Sequence, residues 1–286
     1  MTMQVGLGIL FPDFGPPPGR IAAVMEDLGY DSLWIGDHTH TPTSLDLSNK
    51  QSREINENYW RNLDMFVALT AAATVTRKLR LGTGLCLLAQ RDPITVAKEA
   101  ATLDHLSGGR LDFGVGAGWN AEEMANHGTS FSARWRLLHE RTEVVRTIWT
   151  EDEPEFHGEF ESFDPIRSYP KPVQRPNPPI VVGGNGSKAI ELAARLPAEW
   201  MPMFTSGKWS EIKKQHDGLL ESAVEQGRDP ESVRLIPFLL DEPPHGLLEE
   251  MTEAGVEQIV LSIWVRRGEE EVFLRTIDSL AARLID

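Results

Sequence analysis

Short apolar runs alternate along the chain with segments whose apolar residues recur every three or four positions. Gln4–Leu10 is the first run and Ser32–Ile35 the second. Between them the spacing i, i+3, i+4, i+7 predicts one face of a helix, and Gly29 is a typical residue just past a helix end. The apolar residues with this spacing are Ile21, Val24, Met25 and Leu28. The chain therefore opens as strand, helix, strand.

The same alternation continues to the C-terminus. A further helix is marked at both ends: Asp92 is a typical N-cap, Pro93 is typical of the first helical position, and Gly108 is typical of a helix end. Eight strand–helix units predict a (β/α)₈ TIM barrel, an α/β fold. A doubly wound open sheet is the alternative, but no G-x-G-x-x-G follows the first strand. The six further predicted strands are 79–88, 111–115, 180–182, 200–204, 233–239 and 259–263.

One segment interrupts the alternation. Residues 150–179 contain seven prolines and no helical period, and 156–160 are predicted to form a small hairpin. Because strand–helix alternation resumes at residue 180, we interpret the segment as an insertion between strands 4 and 5. The whole chain, residues 1–286, is then a single barrel domain.

Composition narrows the classes of ligand. The chain has 28 basic and 43 acidic residues, a formal net charge of −15, which repels nucleic acid and anionic membranes. Its single cysteine, Cys86, excludes an internal disulfide and suits a reducing cytoplasm. No apolar stretch reaches the roughly 18 residues of a membrane span, and the N-terminus lacks signal-peptide regions. We expect a cytoplasmic protein with a small-molecule substrate, and leave a homodimer open.

Barrel chemistry is expected where strands end. His38 and His40 follow strand 2, and such a pair can bind a metal when both rings point the same way. Further ligands are missing, because strand 5 ends in Gly-Gly-Asn and strand 8 in Ser-Ile-Trp. We therefore expect no metal and interpret His38 as a residue that contacts a ligand.

Glycines and aromatic residues mark the other strand ends. The 114–118 segment has glycine at alternate positions, which leaves room on one face for something bulky. Trp119 and Asn120 follow it, and Trp119 is suited to stacking on a planar ligand. The long polar loop 41–62 ends near Trp60 and is a candidate lid over the substrate.

Strand 5 runs through Gly183, Gly184 and Asn185 directly into a helix. Glycines let successive backbone N–H groups turn toward one point, and a helix N-terminus adds partial positive charge. This pattern predicts an anion site, typically for phosphate. A tight strand-to-helix turn without a ligand is the alternative.

Several of these motifs together resemble the luciferase-like monooxygenase superfamily, in particular its bacterial branch of coenzyme F420-dependent oxidoreductases. The similarity covers almost the whole chain and is more specific for the superfamily than for the cofactor. The segments that carry it are Leu33-Trp34-Ile35-Gly36-Asp37-His38, Leu81-Gly82-Thr83-Gly84-Leu85, Gln90-Arg91-Asp92-Pro93, residues 98–104 with 106–111, Gly114 to Trp119, and Val182 to Gly186.

The resemblance implies roles for individual residues. His38 is implied to approach the deazaflavin ring as the catalytic residue. A non-prolyl cis peptide is implied between Gly84 and Leu85, behind the ring. The implied cofactor-binding residues are His38, Gly84, Leu85, Gly118, Gly183, Gly184 and Asn185, and the expected substrate pocket comprises Trp60, Trp119 and Asn120.

The chain also departs from the family pattern. Some deazaflavin dehydrogenases carry a glutamate proton donor directly after the strand-4 glycines, where this chain has Trp119. The function implied by the resemblance is hydride transfer between coenzyme F420 and a small organic molecule. An FMN-dependent monooxygenase that uses reduced flavin and O₂ is the first alternative, and a metal-dependent barrel hydrolase built on His38 and His40 is the second.

Overall fold

Parallel strands and helices alternate in the computed structural model, which describes residues 3–44, 55–244 and 246–285. The strands are β1 (Gln4–Leu10), β2 (Ser32–Ile35), β3 (Arg80–Thr83), β4 (Leu111–Val115), β5 (Phe156–His157), β6 (Ser162–Phe163), β7 (Ile180–Gly183), β8 (Ala198–Met201), β9 (Met203–Phe204), β10 (Phe238–Leu239) and β11 (Gln258–Trp264). The α-helices are α1 (Pro18–Asp27), α2 (Glu57–Trp60), α3 (Met65–Val75), α4 (Pro93–Ser107), α5 (Ala121–Asn126), α6 (Arg134–Thr150), α7 (Ser187–Arg195), α8 (Trp209–Glu225), α9 (Leu247–Glu253) and α10 (Glu270–Leu284).

The large sheet closes into the expected barrel. Its strand order is β8-β7-β4-β3-β2-β1-β11-β10-β9, and the pairs between neighbours are parallel. β8 and β9 are two halves of one barrel strand, interrupted at Pro202, which has no N–H to donate. A bridge between Trp200 and Leu235 joins the other half to the strand that ends in β10. The (β/α)₈ prediction is confirmed.

Two predicted strands were too long. The third ends at Thr83 rather than at 88, because the Gly84–Leu85 peptide is cis and the chain then turns into a 3₁₀-helix, Leu88–Gln90. The seventh is reduced to β10 and the Leu235 bridge, because Pro237 cannot donate to a ladder. The sixth begins earlier than predicted, at Ala198.

The segment after β4 predicts a long helix over about 130–149, and α6 confirms it, with a 3₁₀ turn over Phe131–Ala133 as its first residues. The short α5 before it was not predicted. Asn120 begins α5, since its side chain accepts the backbone N–H of Glu123. Farther along, the predicted hairpin in the 150–179 segment is present as the antiparallel pair β5–β6.

Side chains from several strands fill the barrel interior below its carboxyl end. The cluster consists of Trp34, Val181, Met201, Ile236, Phe238 and Val260, with Leu85 packed against it. Trp34 is fully buried because β3 has a glycine beside it: a Cβ on Gly82 would stand 2.2 Å from the indole. The barrel interior is thus a packed core. Among the described residues, no helix is long and apolar enough to cross a membrane.

Candidate active site

A cavity of about 580 Å³ opens at the carboxyl ends of the barrel strands. This is the end at which barrel enzymes hold their reacting groups, and the volume is ordinary for a small-molecule site. Its walls are formed by strand ends and loops around the mouth of the barrel. The lining includes Gly8–Leu10, Gly36–His38, Tyr59, Gly84–Leu85, Gly116–Trp119, Gly183–Gly186, Met203, Phe238 and Ser262–Trp264.

Leu85 forms the inner wall of the cavity. The peptide bond between Gly84 and Leu85 is cis, as the resemblance implied. The neighbouring glycines make room for the Leu85 side chain: an added Cβ would lie 1.8 Å from it at Gly183 and 3.2 Å from it at Gly116. The bulky group that fills the space beside these glycines is therefore Leu85, a part of the protein. The sequence predicted that something bulky occupies the face beside the alternating glycines, and at Gly116 a side chain of the protein does so.

A buried ion pair supports the wall from behind. Asp37, which precedes His38, accepts hydrogen bonds from Arg91 at 2.7 and 2.6 Å and from the backbone N–H of Leu87 at 3.0 Å. Burial alone would lower the pKa of Arg91, but the hydrogen bond and charge of Asp37 outweigh it and raise that pKa. The Asp37 carboxylate therefore links the end of β2 to the turn after the cis peptide.

His38 lies on the cavity wall and is paired with a carboxylate. Its Nδ1 is 2.9 Å from Oε2 of Glu123, and the exposed fractions of the two side chains are only 10% and 1%. The second oxygen of Glu123 accepts the backbone N–H of Thr39 at 3.3 Å. With Nδ1 bonded to Glu123, Nε2 is the ring nitrogen left for a molecule in the cavity.

Aromatic side chains form the rim beside His38. The Tyr59 ring lies 5.0 Å from His38, 6.3 Å from Trp119 and 5.9 Å from Trp264, measured between ring centroids. The Trp119 ring meets His38 edge-on at 6.0 Å. These rings present apolar faces to a bound molecule and restrict water at the mouth.

The loop 183–186 forms the opposite wall and leads into α7. Gly184 has φ +122°, a conformation that L side chains rarely adopt. A Cβ at Gly186 would meet nothing within 4 Å, and no side chain caps α7. The first N–H groups of a helix lack intrahelical partners, so an anion in the cavity has donors within reach here.

The predicted site residues divide into two groups. Those that line the cavity are His38, Gly84, Leu85, Gly118, Trp119, Gly183, Gly184 and Asn185. Asn185 has its amide occupied, because it donates to the Met203 carbonyl and accepts the Met203 N–H. These two bonds fix the orientation of the amide.

Trp60 and Asn120 do not line the cavity. Trp60 is 51% exposed, because consecutive residues of a helix point about 100° apart and its neighbour Tyr59 takes the inward position. Asn120 is buried and its side-chain oxygen caps α5. The substrate-pocket prediction is corrected for these two positions. Part of the predicted lid, residues 45–54, lies outside the described residues.

Sequence reasoning missed Glu123 and Tyr59. The available signal for Glu123 was the spacing Asn-x-x-Glu from Asn120, which is typical of a helix start in which the glutamate reaches back to the cap. In the structure the carboxylate instead bonds to His38 and to Thr39. For Tyr59 the sequence offered only its place beside Trp60.

The two histidines after β2 do not converge. His38 faces Glu123, whereas the ring nitrogens of His40 contact Thr39 and Asn126. Within the described ranges, one group of three side chains lies at metal-binding distance: ligand atoms of His40, Glu123 and His127 are within 4.8 Å of one another, and His38 is not part of this group. The arrangement proposed for a metal-dependent hydrolase, with His38 and His40 as joint ligands, is therefore not formed.

The fold and site define an α/β-barrel protein with a small-molecule cavity at the carboxyl ends of its strands. The sequence model of the luciferase-like monooxygenase family matches residues 19–240, and the chain belongs to that family. Rv0953c of Mycobacterium tuberculosis is 34% identical to it over 286 residues, which cover 99% of both chains.

Two further relatives differ in the cofactor that their names give. The FMNH(2)-dependent dimethylsulfone monooxygenase of Pseudomonas putida is 34% identical over 175 residues, 60% of this chain and 46% of that protein. The coenzyme F420-dependent tetrahydromethanopterin reductase of Methanopyrus kandleri has a TM-score of 0.75 at 19% identity, covering 100% of this chain and 99% of that one. The second likeness shows the shared fold.

Proposed function

We propose that this protein is an oxidoreductase that binds coenzyme F420 in the mouth cavity and transfers hydride between it and a small organic substrate. The observation that carries the proposal is the convergence of three features on one cavity: His38, the bend at Gly84–Leu85, and the glycine loop before α7. Members of the family are oxidoreductases, and the resemblance at strands 2 to 5 favours the deazaflavin.

The residues present fit a deazaflavin or a flavin. The cavity offers an apolar inner wall at Leu85 for a planar ring. On the opposite wall, the open space at Gly186 and the uncapped start of α7 suit the phosphate that both cofactors carry. The helix dipole and N–H groups act at contact distance, where they outweigh the screened net charge of −15.

Each wall then has a stated role. A bound deazaflavin supplies a two-electron hydride carrier. Leu85 supports the ring from behind, and the 183–186 loop holds the phosphate through backbone N–H groups. Tyr59, Trp119 and Trp264 limit access of water, while His38 contacts the reacting end of the substrate or ring. The protein thus contributes position and electrostatics to the chemistry of the cofactor.

An FMN-dependent monooxygenase is the second candidate. The Pseudomonas putida relative, whose name gives FMNH(2) as its cofactor, favours it. The same cavity would hold the flavin ring and phosphate, so the walls described above do not separate the two functions. The fate of labelled atoms does separate them.

Isotope labels test the choice of reaction. The protein is incubated with a panel of small ketones and activated alkenes in two arms. One contains reduced coenzyme F420 deuterated at C5, and the other contains FMNH(2) with ¹⁸O₂. We expect products with one deuterium in the first arm and no ¹⁸O in the second. Products that carry ¹⁸O, with no deuterium transfer, would establish the monooxygenase instead. His38→Asn is the control, and we expect it to abolish the deuterated product.

A further inference from the structure

We propose that Glu123 is the positioning residue that makes His38 the proton acceptor and donor of the site. The carboxylate accepts the Nδ1–H of His38, so that Nε2 presents its lone pair to the cavity. This inference rests on the proposed function for the reaction it serves, but not for the state of the imidazole.

The contact between His38 and Glu123 is buried and joins residues that are far apart in the sequence. The 2.9 Å contact joins residues 85 positions apart, one following β2 and the other on α5. Glu123 is 1% exposed, so water does not compete for the carboxylate. In such surroundings a hydrogen bond to a charged group is stronger than at the surface.

Glu123 is itself fixed on two sides. Its backbone N–H donates to Oδ1 of Asn120 at 3.0 Å, which sets the first turn of α5. Its Oε1 accepts the N–H of Thr39, the residue next to His38, at 3.3 Å. The carboxylate therefore holds both the imidazole and the backbone that carries it.

The consequence is a fixed tautomer. A carboxylate has no proton to donate when ionised, so Nδ1 must carry the hydrogen of this bond. In free neutral histidine the hydrogen resides mainly on Nε2. Glu123 thus reverses the ordinary preference and leaves Nε2 able to accept a proton. In the catalytic triads of serine hydrolases, an acidic residue likewise holds the histidine in the required tautomer and orientation.

The proton step balances the hydride step. With an alcohol as substrate, the carbinol C–H bond breaks and its electron pair leaves with the hydrogen to the deazaflavin. The O–H bond breaks, its proton goes to Nε2, and the C=O bond forms. The substrate loses two electrons and the deazaflavin gains two. In the reverse direction Nε2 returns the proton to the oxygen, while Glu123 stabilises the imidazolium that exists between the two events.

Histidine ¹⁵N NMR tests the tautomer without cofactor or substrate. The protein is labelled with ¹⁵N-histidine, spectra are recorded at pH 8, and His38 is assigned from the signals that His38→Asn removes. We expect the coupling pattern of the Nδ1–H tautomer in the wild type and a shift to Nε2–H in Glu123→Ala. Glu122→Ala, a change one residue away on α5, should leave the pattern unchanged.

Two results would overturn the proposal. One is a wild-type His38 with the hydrogen on Nε2, which needs no variant and is independent of folding in Glu123→Ala. The other is a folded Glu123→Ala that keeps the Nδ1–H pattern, because another group would then hold the ring. Backbone amide spectra establish that the variant is folded.

A kinetic readout separates this inference from the proposed function. With the labelled coenzyme, Glu123→Ala should lower kcat by about 10²- to 10⁴-fold, the usual contribution of acid–base catalysis, with little change in KM and none in cofactor affinity. An unchanged kcat would contradict the positioning role. If the wild type transfers no deuterium at all, the proposed function fails, whereas the NMR result still decides the state of His38.

Discussion

At the scale of residues, two buried carboxylates, Asp37 and Glu123, fix the cavity wall through partners that the sequence alone did not predict. Asp37 and Arg91 were visible in two separate motifs, but only the fold pairs them and adds the Leu87 N–H. Likewise, Glu123 reaches His38 only because α5 begins where Asn120 caps it. Contacts between residues more than 50 positions apart depend on the tertiary arrangement, so a pattern along the chain predicts the residue types and not their partners.

The Asp37–Arg91 pair predicts a large loss of stability when one partner becomes neutral. Asp37→Asn leaves the Arg91 guanidinium buried beside an amide, with Asp64 as its remaining anion at 3.2 Å. We expect a loss of about 3 kcal/mol in the free energy of unfolding, near the lower end for a broken buried pair. Urea denaturation followed by circular dichroism measures this quantity.

The matched control is Asp13→Asn, which breaks an ion pair with Arg61 whose side chains are about half exposed. Such surface pairs contribute about 0–1 kcal/mol. Equal losses in Asp13→Asn and Asp37→Asn would show that the pair behind the cavity is not special.

At the scale of elements, glycines in the barrel make room for large side chains of neighbouring segments. The sequence predicted Gly82 inside the third strand and Gly183 directly after the fifth, and it could not distinguish room for a ligand from room for the protein. In the structure the space beside them holds Trp34 and Leu85. Which large side chain faces a glycine depends on the register between strands, such as the Trp34–Gly82 pairing of β2 with β3.

Gly82→Ala should therefore destabilise the barrel. The added methyl group would stand 2.2 Å from the fully buried Trp34 indole, so the indole or the strand must shift. We expect a loss of about 1–3 kcal/mol, typical of an overpacked core, measured by urea denaturation. Gly207→Ala is the control, since a Cβ there meets nothing within 4 Å. A Gly82→Ala protein as stable as Gly207→Ala would contradict the packing of the interior.

The start of α7 carries a prediction about phosphate. Gly184→Val is a poor probe, because φ +122° strains any side chain there and the effect on folding would mask binding. Gly186 has φ −87° and open space, so Gly186→Asp adds a negative charge at the helix start with little strain. We expect weaker binding of FMN by tenfold or more, with riboflavin unchanged within twofold. Equal weakening for both ligands would show that the loop does not hold the phosphate.

For the whole molecule, strand–helix alternation was sufficient to predict the barrel and the end at which the cavity opens, and the local sequence of residues 156–160 predicted the hairpin. The alternation did not predict where hydrogen bonding between strands is interrupted. Pro202, Pro237 and the Gly84–Leu85 bend interrupt it, and the alternation of apolar segments carries no information on pairing between strands. The cavity wall could be predicted at His38 and at the 183–185 loop, since both directly follow strands. The aromatic rim could not, because α2 lies in a long loop whose direction no periodicity fixes.

His216, a partly buried histidine on α8, makes the stability of the fold depend on pH. The His216 ring stacks on the buried Trp200 at 6.4 Å. Burial lowers the pKa of His216, and the hydrogen bond to the Val233 carbonyl offsets this only in part. A lowered pKa in the folded state means that unfolded chains bind the proton more readily. The stabilising contribution of His216 is therefore complete above about pH 6.5, the ordinary histidine value, and is lost as the pH falls.

We expect the free energy of unfolding to fall between pH 7 and pH 5.5, and to fall less in His216→Gln than in the wild type. His157→Gln, which removes an exposed histidine of the hairpin, should retain the wild-type slope. Urea titrations at four pH values measure the three slopes. A His216→Gln slope equal to that of the wild type would contradict the effect of burial on His216.

We proposed above that the mouth cavity binds coenzyme F420 in preference to FMN. Equilibrium fluorescence titration of the cofactor-free protein with coenzyme F420 and, separately, with FMN tests this claim most directly. The account predicts a Kd for coenzyme F420 at least tenfold lower than that for FMN, a difference of about 1.4 kcal/mol. A Kd for FMN equal to or lower than that for coenzyme F420 would contradict it and favour the flavin-dependent monooxygenase.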